Sequence, residues 1–160
     1  MSDTSIHIGL DGDIPRGLHH IDVDQSGKLK LPATFHRYLS RQGENTVFIT
    51  NLEDGILRVY PVSAWLRQRA ALWASDTDEA RDIYFIAEDR GRDSTIDKRG
   101  RMTIHEDLLR LFGEGNQKVV LEFYRGRINI YSQAAYTRQR ESARASIKSS
   151  LSALRKGGLL

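Results

Sequence analysis

Cysteine is missing from all 160 residues, which excludes a disulfide framework and thiolate metal sites and suits a reducing cytoplasm. Long apolar runs are missing too. The first twenty residues carry three aspartates (Asp3, Asp11, Asp13) and no hydrophobic stretch, unlike a secretory leader, and nothing later is apolar enough to span a membrane. Catalytic signatures are equally scarce. There is no HExxH, no Gly-x-Ser-x-Gly elbow, no phosphate-cradling glycine loop and no carboxylate pair in an apolar setting. Five histidines are present, but His19 and His20 are adjacent, which on a strand sends them to opposite faces. The expectation is a chain with no enzymatic activity, no metal and no cofactor.

What is present is an ordinary globular composition, 39% hydrophobic and 28% charged, enough for one domain or two small ones with a buried core. The net charge of +3 is unevenly spread. From Thr137 onward six Lys or Arg face only Glu141, a net of +5, leaving −2 for residues 1 to 136. A nucleic-acid site in the folded body would therefore be a local patch, because the body as a whole exerts no attractive field.

The chain repeats itself. HIDVDQSGKLKL from His20 and DSTIDKRGRMTI from Asp93 align at an offset of 73, pairing Asp24 with Asp97, Gly27 with Gly100, Lys28 with Arg101, Leu29 with Met102 and Leu31 with Ile104. Phe35 and Leu39 then match Leu108 and Phe112. Leu57, Val59 and Tyr60 match Ile128, Ile130 and Tyr131 at an offset of 71. Each copy reads as strand, tight turn, strand, short helix and a further hairpin. Pro32 suits the first position of the short helix in copy one, and Asp54-Gly55 and Arg125-Gly126 mark the hairpin turns. Between the copies Pro61 to Trp73 and Thr77 to about Ala87 read as helices. Gln133 to Leu154 reads as a third, with helix and disorder both open beyond Ile147, where its apolar stripe is weak. Four short strands cover too little core alone, so the expectation is two copies packed as a pseudo-dimer.

The segment from Asp22 to Leu29 imitates a calcium loop at its early positions. The imitation fails at the twelfth, where Ala33 replaces the bidentate carboxylate. A simpler reading of the shared Asp-x-x-Gly is a turn in which Asp accepts backbone N–H bonds and Gly supplies positive φ. A turn does not require a cation after the glycine, however, and both copies have one. A cation held by a nearby carboxylate on a rigid hairpin is what base-edge recognition asks for. The candidate DNA-binding residues are therefore Lys28, Lys30, Lys98, Arg99 and Arg101, with Asp24, Gly27, Asp97 and Gly100 as turn and orienting residues.

With DQSGKLKLP, a hairpin ending in VYP, a Trp-bearing helix and then DKRGRMTI in that order, the chain resembles the MraZ family over roughly Gly17 to Tyr136. The resemblance implies a mainly β fold with helices (α+β): two tandem AbrB/SpoVT-like βαβ half-barrels forming an interlocked double-psi, swapped-hairpin barrel. Its boundaries would be an N-terminal extension over 1–16, repeats over 17–60 and 91–131, connecting helices over 61–90, and a C-terminal helix with basic tail over 132–160. It further implies a cytoplasmic, nucleoid-associated transcription regulator that binds repeated promoter boxes in double-stranded DNA as a ring-like homo-oligomer, without a membrane partner. The family's DxxxR motif falls on Asp24 with Lys28 and on Asp97 with Arg101, so copy one departs from it. His105 also stands where the family often has Pro. The competing class is an antitoxin-like protein-interaction module whose tail folds on a partner. Trp65, Leu66, Trp73, Ile83 and Tyr84 are candidates for self-association.

Overall fold

A computed structural model describes residues 14–113 and 118–160. The extension over 1–16 therefore lies outside the described residues except for its last three. The elements are β1 (Leu18–Asp22), β2 (Lys28–Lys30), α1 (Ala33–Arg41), β3 (Thr46–Glu53), β4 (Ile56–Pro61), α2 (Val62–Ala74), α3 (Asp78–Arg90), β5 (Arg92–Thr95), β6 (Arg101–Thr103), α4 (Glu106–Leu109) with a 3₁₀ turn (Arg110–Phe112), β7 (Lys118–Tyr124), β8 (Arg127–Ser132) and α5 (Gln133–Lys156).

The fold is mixed α+β, with more helix than a mainly β reading implies. Part of that helix is α5, which runs unbroken for 24 residues. The stretch beyond Ile147, where the sequence leaves helix and disorder both open, is helical to Lys156, as Ala and Arg are good helix formers. The Ser132 hydroxyl also caps the start of α5, accepting from Ala135 N at 3.1 Å. Pro32 and Pro61 sit one position earlier than expected, as extended N-cap residues, because proline's fixed φ serves an extended cap as readily as the first helical position.

Six strands form an antiparallel sheet in the order β1-β7-β8-β4-β3-β5, and β2 and β6 form a separate pair. The pairings exchange strands between the repeats. β1 lies on β7 and β5 on β3, so each copy's first strand pairs with the other's third. Second strands pair with each other, as do fourth strands. The registers obey an approximate two-fold, with Leu29 opposite its own equivalent Met102 and Arg58 opposite its equivalent Asn129.

Alternation along the strands separates two faces. The inner face carries Leu57, Val59, Leu121, Ile128 and Ile130, which pack with Leu29, Leu31, Phe35, Met102, Ile104 and Leu108 into one core. Each such side chain contributes about 1.5–3 kcal/mol on burial, and the β2–β6 pair closes this core from the side opposite the sheet. The outer face carries Phe48 and Tyr60 under α2 and α3, and Val120 and Tyr131 under α5. His19 and His20 take opposite faces as the strand alternation requires, their rings against Phe35 and Tyr136 respectively. Trp65 leaves the set of candidates for self-association. It is 4% exposed and stacks on Phe48 at 4.8 Å, because its position in the first turn of α2 turns it onto the sheet.

Candidate nucleic-acid interface

The two Asp-x-x-Gly turns are built alike. In copy one the Asp24 Oδ1 accepts from Ser26 N at 2.9 Å, Ser26 Oγ at 2.7 Å and Lys28 N at 2.9 Å. In copy two the Asp97 Oδ1 accepts from Arg99 N and Arg101 N, both at 2.9 Å. Gly27 N and Gly100 N donate back to the carbonyls of Asp24 and Asp97 at 3.0 Å. Both glycines have positive φ, +85° and +79°. The calcium-like pattern is used up otherwise, with Asp22 paired to Lys118 Nζ at 3.0 Å and Asp24 Oδ1 committed to its own turn.

The turns also lock onto one another. Ile104 N donates to Gly27 O and Leu31 N to Gly100 O, both at 2.8 Å, so each glycine carbonyl terminates the strand of the other copy. Between them β2 and β6 form an antiparallel ribbon with Leu29 and Met102 facing the core. Alternation then sends Lys28, Lys30, Arg101 and Thr103 outward. The register sets Lys30 directly across from Arg101 and Lys28 across from Thr103. Lys98 and Arg99 are exposed in the turn beside them. All five candidate cations thus belong to one ribbon and its turns.

Like charges directly opposite on a ribbon repel, and Asp97 relieves that for one of them. Arg101 Nε donates to Asp97 Oδ2 at 2.8 Å with both side chains about two-fifths exposed. The guanidinium is therefore steered, and among the described residues its outer nitrogens make no hydrogen bond. Among the described residues Lys28 Nζ has no such pair; the second donor on Asp24 is the Ser26 hydroxyl instead. Sequence comparison of the repeats shows Lys for Arg but not this role for Ser26, which depends on a local contact.

Hydrogen bonds hold both turn carboxyls below the ordinary aspartate range. For Asp24 the largest contribution is the Ser26 hydroxyl, and for Asp97 the Arg101 amide. A carboxyl with a lowered folded value stabilises the fold above its unfolded value and loses that contribution as pH falls through the folded one. A carbon-detected NMR titration of Asp97 is expected to show a midpoint below 3.8, and Asp97 in Arg101→Ala a midpoint shifted upward. Equal midpoints in the two proteins would mean that the ion pair is not populated in solution.

The flanking helices break the approximate symmetry, which repeat alignment alone does not reveal. The turn of copy two lies against α1, where the ring of His36 is 3.0 Å from the place a Gly100 side chain would occupy and Arg37 and Arg41 follow on the same helix. The turn of copy one lies against Leu109 of α4, which opens with Glu106 and Asp107, held by Arg110 and Arg92 at 2.7 and 3.0 Å.

The exchanged strands and the paired turns define a two-repeat α+β protein with a basic two-stranded ribbon on its approximate dyad. No model of a known protein family matches the chain, but curated relatives do. A protein named transcriptional regulator MraZ from Desulfitobacterium hafniense is 31% identical over 134 residues, covering 81% of this chain and 90% of its own. Proteins of the same name from Solidesulfovibrio magneticus and a Marinomonas species are 28% and 27% identical, over 149 and 129 residues. They cover 90% and 79% of this chain and 96% and 85% of theirs. The chain belongs to the MraZ family. These relatives are named as transcriptional regulators. No helix among the described residues is long and apolar enough to cross a membrane.

Proposed function

We propose that this chain is a sequence-specific, double-stranded DNA-binding transcription regulator that reads repeated promoter boxes with the β2–β6 ribbon. The observation that carries this reading is the cross-strand placement of Lys30 against Arg101, with Arg101 held by Asp97 at 2.8 Å. A two-stranded ribbon fits the major groove, and a positioned Arg offers a fork to guanine O6 and N7. Lys28, Lys98 and Arg99 serve as phosphate or single-acceptor contacts. The strand exchange is read as an interlocked swapped-hairpin barrel of the AbrB/SpoVT kind, with repeats over 17–60 and 91–131, a linker over 61–90 and a tail over 132–160. A cytoplasmic, nucleoid-associated location goes with this function.

Self-association belongs to the same reading. Trp73 is 59% exposed, and Leu66, Ile83 and Phe85 are exposed beside it in the α2–α3 pair, more apolar surface than scattered singles. A ring-like homo-oligomer would present several ribbons at once, and linkage multiplies their affinity. Gel shifts are expected to show several regularly spaced boxes bound at least about 100-fold more tightly than one, with light scattering reporting an oligomer at micromolar concentration. A monomer by scattering would contradict the assembly, while the absence of any preferred duplex would contradict the DNA reading itself.

Composition alone suggests that the basic tail adds phosphate contacts to the same duplex. Its anchor argues otherwise, because α5 starts on the outer face through Ala135 and Tyr136, opposite the ribbon. Deleting Ser142 to Leu160 is therefore expected to leave the salt slope of single-box binding unchanged. A slope reduced by about 0.9 per lost contact would place the tail on the bound DNA.

A further inference from the structure

Where β4 and β8 cross the approximate dyad on the outer face of the sheet, a groove of about 300 Å³ opens beside α5. Its floor is polar. Arg58 Nη2 donates to Glu53 Oε1 at 2.8 Å and Nη1 to Tyr60 Oη at 3.1 Å, while its buried Nε has no acceptor. Arg127 Nε donates to the amide oxygen of Asn129 at 3.1 Å. The Asn129 amide nitrogen donates in turn to Glu122 Oε1 at 3.0 Å, and Tyr131 Oη donates to the same oxygen at 2.7 Å.

This chain of contacts leaves two opposite charges without an ion pair among the described residues; Arg127 has the face of the Tyr124 ring 5.3 Å from its guanidinium carbon and the charge of Glu53, itself paired with Arg58, to offset its own. Arg127 has no ion pair among the described residues, and its Nη atoms make no hydrogen bond there. Glu122 takes two neutral donors on Oε1 and none on Oε2. The Asn129 side chain stands between them and prevents direct pairing. A guanidinium cannot shed its proton, and burial together with the nearby Arg58 charge disfavours the protonated form of Arg127. A half-buried cation and a half-buried anion held apart by an amide are costly unless each finds a partner. The exposed Gln139 amide at the rim adds both a donor and an acceptor.

We infer that this outer groove binds a small zwitterion of the free amino-acid class, its carboxylate on the open fork of Arg127 and its ammonium on Glu122 Oε2. A guanidinium fork matches a carboxylate in a bidentate pair. Glu53 and Glu122 in the same groove count against a doubly charged phosphate. The site is separate from the ribbon and does not depend on the DNA reading.

The test is calorimetric titration and thermal shift of the full chain against the proteinogenic amino acids, with acetate, methylammonium and inorganic phosphate in parallel. At least one amino acid is expected to bind with a millimolar or tighter Kd, and acetate, methylammonium and phosphate each about tenfold or more weakly. Arg127→Gln and Glu122→Gln are each expected to weaken that binding about tenfold or more, while Lys148→Gln on the exposed part of α5 leaves it unchanged. Arg127→Lys keeps the charge but loses the fork, and the same loss is expected from it should Arg127→Gln not fold. Absence of binding by every amino acid, equal binding by acetate or phosphate, or binding that survives both Arg127 variants would overturn the assignment.

Discussion

Arg101→Ala is expected to lose about 1–3 kcal/mol of discrimination at one base position, roughly a 5- to 150-fold drop in preference, while the protein stays folded. The side chain points away from the core, its neighbours Met102 and Ile104 are what the core uses, and the Asp97 turn keeps its backbone hydrogen bonds without it. Lys28→Ala should fail differently. Lys28 is a flexible point charge without the fork, so its loss should weaken binding to all sequences alike and lower the salt slope by about one unit. Asp97→Ala separates positioning from charge. It releases the Arg101 side chain, and with it the turn amides of Arg99 and Arg101, without removing a cation, so specificity should fall while non-specific binding holds or rises. Binding-site selection on the three variants reads all of this. An unchanged preference in folded Arg101→Ala would move recognition to Lys30, to Arg99 or to DNA shape.

Gly27→Ala is expected to be the more damaging of the two turn-glycine substitutions, lowering stability by about 3 kcal/mol or more against about 1–2 kcal/mol for Gly100→Ala. Both positions need positive φ, and the difference lies in what a methyl group meets. At Gly27 it would stand 2.4 Å from the backbone carbonyl of Ile104, whereas at Gly100 it meets the ring of His36 at 3.0 Å. A side chain can rotate away; the backbone of β6's exit cannot, because Ile104 N is bonded to Gly27 O. Equal urea midpoints for the two variants would mean that this lock does not carry the load assigned to it. Restoring the loss of Gly100→Ala by His36→Ala would support the steric cause.

The repeat made much of this legible beforehand. The paired turns, the alternation at Leu29, Leu31, Met102 and Ile104, the hairpins at Gly55 and Gly126 and the helices between the copies follow from turn chemistry and periodicity in neighbouring residues. What the sequence could not carry was pairing at a distance. Nothing local states that Lys30 faces Arg101 or that each turn glycine ends the other copy's strand, since each depends on strands far apart in the chain. The aromatics show the same limit. Trp65 and Trp73 look alike in an amphipathic stretch, yet one fills the space over Phe48 and Tyr60 while the other stands exposed under Arg69. Asp24 and Asp97 were recognisable as turn formers, but their unequal outer partners, the Ser26 hydroxyl and the Arg101 guanidinium, were not.

The claim that the β2–β6 ribbon is the DNA-reading surface is tested most directly by amide NMR of the full chain with a duplex taken from binding-site selection. Shift changes and protection are expected to concentrate at Lys28 to Lys30, at Lys98 to Thr103 and on the flanking α1, with α2, α3 and α5 on the outer face unaffected. Perturbation centred on the outer face, with the ribbon silent, would contradict the account.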